Sequence, residues 1–93
     1  MINKLREALA ALEHDRWARW QSHLHSKCDE CPDGGLYIPP GYVRHLQRQI
    51  TTKYADLTES ERDSDRKEAD NTLVVIAKTL DIIARHFSDL AAS

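Results

Sequence analysis

No apolar run in this chain approaches the roughly 18–20 residues needed to cross a bilayer, which excludes a membrane span. Charge of one sign is also missing. Thirteen Lys and Arg against fifteen Asp and Glu leave a formal net charge of -2, so nothing pulls the whole molecule toward DNA or an anionic membrane. Sequence-specific nucleic-acid binding is not expected, and any anion site must be local. Cysteine is scarce, with two residues, and the opening "MINKLREALAALEHDRW" carries charges throughout rather than the apolar core of a signal peptide. Both features fit a reducing cytoplasm, where a structural disulfide is not expected. Strand-type alternation of useful length and internal repeats are missing too. So are a Ser/His/Asp order, a glycine-rich phosphate loop and a carboxylate pair, and the chain is therefore expected to be neither an enzyme nor a cofactor carrier.

What is present reads as one small domain over residues 1–93, large enough for a single modest core. Hydrophobic content of 41% is slightly low and charged content of 30% slightly high, a balance that suits helices with one buried face. The expected fold is all-α, a small bundle of three helices with a long loop between the first and second. A helix is expected over about 2–26, where Leu5, Leu9, Leu12, Trp17, Trp20 and Leu24 recur at spacings of three to five. Loop 27–39 holds "CDECPDGGLYIP", whose prolines and glycine pair break helices, although "LYI" suits a short extended piece. Pro40 then opens a second helix over about 40–51, where its missing N–H costs nothing, with Val43, Leu46 and Ile50 inward.

The third helix, about 59–91, begins inside "KYADLTESERDSDRKEAD", a stretch with seven acids and four bases in eighteen residues. Thr58 followed by Glu61 is a capping box, and acids in the first turn suit the helix dipole. Glu59/Arg62, Asp63/Arg66, Asp63/Lys67 and Arg66/Asp70 add opposite charges at helical spacing. Counting back from the apolar end, Leu90, Phe87, Ile83, Leu80, Ile76, Leu73, Ala69, Arg66 and Arg62 alternate by three and four. This register turns Arg66 toward its neighbours, where a guanidinium needs an acid or a bound anion. Glu13, spaced four-three-four with Trp17, Trp20 and Leu24, is the expected acid, giving a structural Glu13–Arg66 ion pair between helices. Val74, Val75 and Ile82 fall off that stripe and could cover a second surface.

Three constellations are weighed against plainer readings. His23, His25, Cys28 and Cys31 include the CxxC half of a zinc site, with His45 as an outside ligand. The usual distant ligand pair is missing, and His23 and His25 point about 200° apart on one helix. No metal is therefore expected; Cys28, Cys31 and His25 are the residues such a site would use, and reduced cysteines bounding a turn are the plainer reading. Arg44 and Arg48, with Gln47, form a short basic face that could grip phosphate or carboxylate, or be an ordinary solvated face. Trp17, Trp20, Tyr37, Tyr42 and Tyr54 are either core-edge residues or the walls of a cleft that stacks a base.

"LEHDRWARW" (Leu12 to Trp20) followed by "KYADLTESERDSDRKEADNTL" (Lys53 to Leu73) resembles the RyR domain, the small helical module of ryanodine receptors that also occurs in bacterial and phage proteins. The matching positions are Glu13, His14, Trp17, Tyr54, Leu57, Asp65 and Arg66, and they fall on both main helices. The short format looks like the phage and prophage members, some of which cluster with genes of nucleotide-signal immunity. The resemblance implies a binding module in the cytoplasm of a bacterial host, taking a small anionic, nucleotide-derived ligand and sequestering an immune signal. Trp17 and Tyr54 would flank that ligand, and Arg44, Arg48 and Arg66 would supply positive charge. The alternative is a protein-interaction or oligomer-forming helical module, a homo-oligomer among its forms, whose ion pairs are purely structural.

Overall fold

The computed structural model describes residues 2–92. The order of elements is α1 (Ile2–Ser26), β1 (Asp29–Glu30), β2 (Leu36–Tyr37), α2 (Pro40–Thr51), a 3-10 turn (Tyr54–Asp56) and α3 (Glu59–Ala92). The architecture is mainly α-helical, and no described helix is long and apolar enough to cross a membrane. The chain divides into two compact units, Met1–Arg16 with Asp65–Ser93, and Trp17–Ser64.

The connection between α1 and α2 folds into a small antiparallel hairpin rather than an open loop, with Asp29 opposite Tyr37 and Glu30 opposite Leu36. Its turn is set by local chemistry. Gly34 adopts φ +88°, a left-handed conformation that costs a side-chain-bearing residue about 1–2 kcal/mol. Its N–H donates to the Cys31 carbonyl at 3.0 Å, the Cys31 N–H donates to the Gly35 carbonyl at 2.8 Å, and the Gly35 N–H donates to Asp33 Oδ1 at 2.9 Å. "CPDGG" thus closes the ladder that holds the "LY" of "LYI".

In the second unit α2 starts at Pro40, and the Pro39 carbonyl accepts from the N–H groups of Tyr42 and Val43 at 3.0 Å each. The turn before α3 is held by the capping box. The Glu61 N–H donates to Thr58 Oγ1 at 3.2 Å, while Glu61 Oε1 accepts from the Thr58 N–H at 3.1 Å. Arg62 fastens the 3-10 turn to the start of α3, donating to the Ala55 carbonyl at 2.8 Å and pairing with Glu59 at 2.6 Å.

In the first unit α1 offers Leu5, Leu9, Leu12 and Arg16 as half-buried residues, and α3 offers Glu68, Thr72, Val75, Ile76, Thr79 and Ile83. This corrects the register expected for α3. Leu73, Leu80 and Phe87 are 61%, 59% and 62% exposed, and Arg66 also lies on the exposed side of the helix. The most buried described residue is Thr79, at 9%, and none of the described hydrophobic side chains is fully buried. The cause is the polar contact at Arg16. It turns the Glu68–Thr72 edge of α3 toward α1 and leaves Leu73, Leu80 and Phe87 exposed. Thr79 tolerates its burial because its hydroxyl donates back to the Val75 carbonyl at 2.9 Å.

Candidate functional site

Arg16 makes four hydrogen bonds through its three guanidinium nitrogens. Its Nε donates to Glu68 Oε2 at 2.8 Å and its Nη1 to Glu13 Oε1 at 2.8 Å. Its Nη2 reaches the Glu68 carbonyl and Thr72 Oγ1, both at 3.1 Å. The hydrogen bond donated to Glu68 raises the guanidinium pKa most; partial desolvation opposes it, and the Glu13 charge adds to the rise. A fork of donors held on four oxygens is a rigid link between helices, and the acids around it leave no reason for an anion to bind there.

The inter-helix pair therefore joins Arg16 and Glu68, where the sequence reading places Glu13 with Arg66. Glu13 is instead the outer partner of Arg16 within α1. The signal for Arg16 was present: Leu5, Leu9, Leu12 and Arg16 follow a four-three-four spacing, which leads the stripe to Arg16 rather than to Trp17.

The second unit carries the other acidic junction. Glu61 Oε2 accepts from Arg48 Nη2 at 2.7 Å and from Gln49 Nε2 at 2.6 Å. These bonds, Arg48 first, then the Thr58 backbone and Gln49, lower the Glu61 pKa from 4.5 to about 2 against a desolvation penalty. Arg48 is thus engaged by an acid through one nitrogen. Arg44 is exposed on the same helix.

Trp17 and Tyr54 are 60% and 50% exposed. Trp17, Arg44, Arg48 and Tyr54 all belong to this unit, whereas Arg66 belongs to the other. Trp20 meets the His23 ring edge-on at 6.2 Å, and Tyr42 stacks on His45 at 5.7 Å, so two of the aromatic residues considered for a cleft have histidine neighbours. Cys28 and Cys31 are half-buried free thiols, and Cys28 Sγ donates to the Leu24 carbonyl at 3.2 Å. Among the described residues no three His, Cys, Asp or Glu side chains converge as a metal site would require.

The remaining feature is apolar. On α3, Leu73, Ala77, Leu80, Ala84, Phe87 and Ala91 repeat at four and three residues, and all six are exposed. Beside this stripe an open hollow of about 80 Å³ is lined by Ile2, Leu5, Ile76, Thr79, Leu80 and Ile83. It is far below the roughly 300 Å³ at which ligand pockets begin. No protein-family model, curated protein or solved structure was found to match the chain. The geometry of these surfaces therefore carries the functional reading.

Proposed function

We propose that this chain is a non-enzymatic helical interaction module whose working surface is the uncovered apolar stripe of α3. One observation carries the reading: the face of α3 that is half-buried mixes Glu68, Thr72 and Thr79 with Val75, Ile76 and Ile83, while Leu73, Leu80 and Phe87 stay exposed. On this reading the expected three-helix bundle is completed by a partner, and the Arg16 and Glu61 junctions are structural. The test is simple in principle, because the stripe must be either covered or wet. A folded chain that neither associates nor enhances the fluorescence of anilinonaphthalene sulfonate sinks the proposal.

A second reading has its own support in the other unit. The exposed Arg44 and the half-open faces of Trp17 and Tyr54 are the groups a small anionic, nucleotide-derived ligand would need. The resemblance of the Leu12–Trp20 and Lys53–Leu73 segments to the RyR domain points the same way, and with it toward sequestration of a nucleotide signal. Calorimetry against cyclic and linear nucleotides is expected to give heat that disappears in Arg44→Ala. Silence across the panel from a folded sample removes this reading without touching the first.

A further inference from the structure

We infer that the partner on α3 is a second copy of this chain, paired antiparallel about a two-fold axis near residue 82. This deepens the interaction reading and rests on it. Side-chain sizes follow an order along the exposed stripe: Leu73, Ala77, Leu80, Ala84, Phe87, Ala91. Large and small residues alternate without exception. A repeat of four and three residues is the seam of a left-handed helix pair, which keeps one stripe against its partner over many turns.

Symmetry then decides the direction. With the axis at position 82, Leu73 of one copy faces Ala91 of the other, Ala77 faces Phe87, and Leu80 faces Ala84. Every large side chain meets an alanine, so each layer fills to similar volume and the backbones approach closely. In a parallel pair the same stripe sets leucine on leucine and alanine on alanine, alternating crowded layers with empty ones. The antiparallel arrangement is also isologous, so it closes at two copies.

The surrounding charges permit it. No charged residue lies in the seam between Leu73 and Ala91, and the carboxylates closest to the axis, Asp81 of each copy, are each paired with Arg85 at 2.7 Å. Arg66 continues the stripe toward the N-terminus but lies sixteen residues from the axis, outside the Leu73–Ala91 seam.

The size-matching argument makes an unusual demand. Ala84→Leu adds apolar surface, so a merely sticky face would associate more tightly. In the antiparallel seam that leucine collides with Leu80 of the other copy, and the dissociation constant is expected to rise at least about tenfold. Leu80→Glu is expected to give a monomer, whereas Val74→Glu, off the seam, is expected to stay a dimer. Sedimentation equilibrium reads all three, with far-UV circular dichroism confirming that each variant is helical.

Direction is read separately by pulsed electron paramagnetic resonance on Cys28→Ser, Cys31→Ser, Asn71→Cys carrying a spin label. Asn71 lies on the outer side of α3, eleven residues from the axis. The two labels are expected about 33 Å apart along the helices in the antiparallel pair, against roughly the interhelical spacing in a parallel one. A dimer with the short distance, or one tightened by Ala84→Leu, overturns the inference. So does a monomer at tens of micromolar. If that monomer binds anilinonaphthalene sulfonate, the apolar surface is real and its partner is another protein; if it binds none, the interaction reading fails as well.

Discussion

Glu61 shows how much one carboxylate can organise. It caps α3 through Thr58 and ties in Arg48 and Gln49, with its side chain only 14% exposed. Its pKa is depressed from 4.5 to about 2, so the folded state binds the proton less readily than the unfolded chain. The stability it contributes is complete above about pH 4.5 and is lost as the pH falls toward 2. Thermal melts of Glu61→Gln are expected to start lower at neutral pH and to change less than wild type across that acid window; parallel curves would contradict this. Thr58→Ala removes only the cap oxygen and is expected to cost about 1 kcal/mol in denaturant unfolding. The capping box and the Glu59–Arg62 pair were legible in the sequence because both depend on neighbours within one turn. Arg16 was not selected, since two tryptophans beside it made the competing stripe look stronger.

At the scale of elements, chain ends and breakers did most of the specification. Pro39 and Pro40 mark where α2 can begin, and the glycine pair marks where the chain must reverse. The hairpin between α1 and α2 was readable only as the extended "LYI", because its ladder depends on Asp29 and Glu30, which have no strand propensity of their own. Gly34→Ala is expected to destabilise the protein by about 1 kcal/mol. Space is not the reason, since an added methyl group would meet nothing within 4 Å. Hydrogen exchange is expected to speed up at the Gly34 and Gly35 amides, with the amides of α3 unchanged; a uniform change would argue against a local turn. For α3, periodicity showed that apolar residues recur at helical spacing, but it joined Ile76 and Ile83, which are half-buried, to Leu73, Leu80 and Phe87, which are exposed. Which side of the helix meets α1 was set by Arg16 reaching Glu68 and Thr72, a contact across 52 and 56 residues.

For the whole molecule, the absence of any fully buried hydrophobic side chain among the described residues is the governing fact. Burial of apolar surface is the main force that offsets chain entropy, and here much of that surface is uncovered in the single chain. Stability and association are therefore expected to be linked. The melting temperature of wild type should rise with protein concentration, as it does whenever a second copy binds only the folded state. Leu80→Glu should abolish that dependence, and a concentration-independent melt in wild type would remove the linkage.

By itself the sequence determined three helices, their breaks and the α3 cap. All of these rest on interactions within a few residues, where spacing and side-chain type suffice. The tertiary structure decided that Leu73, Leu80 and Phe87 face outward, that Arg16 is held between helices by Glu68, and that Arg48 is already engaged by Glu61. Those outcomes depend on which of two competing faces wins a distant partner. Here hydrogen bonds to a guanidinium set the rotation of α3, a choice that hydrophobic periodicity alone does not encode.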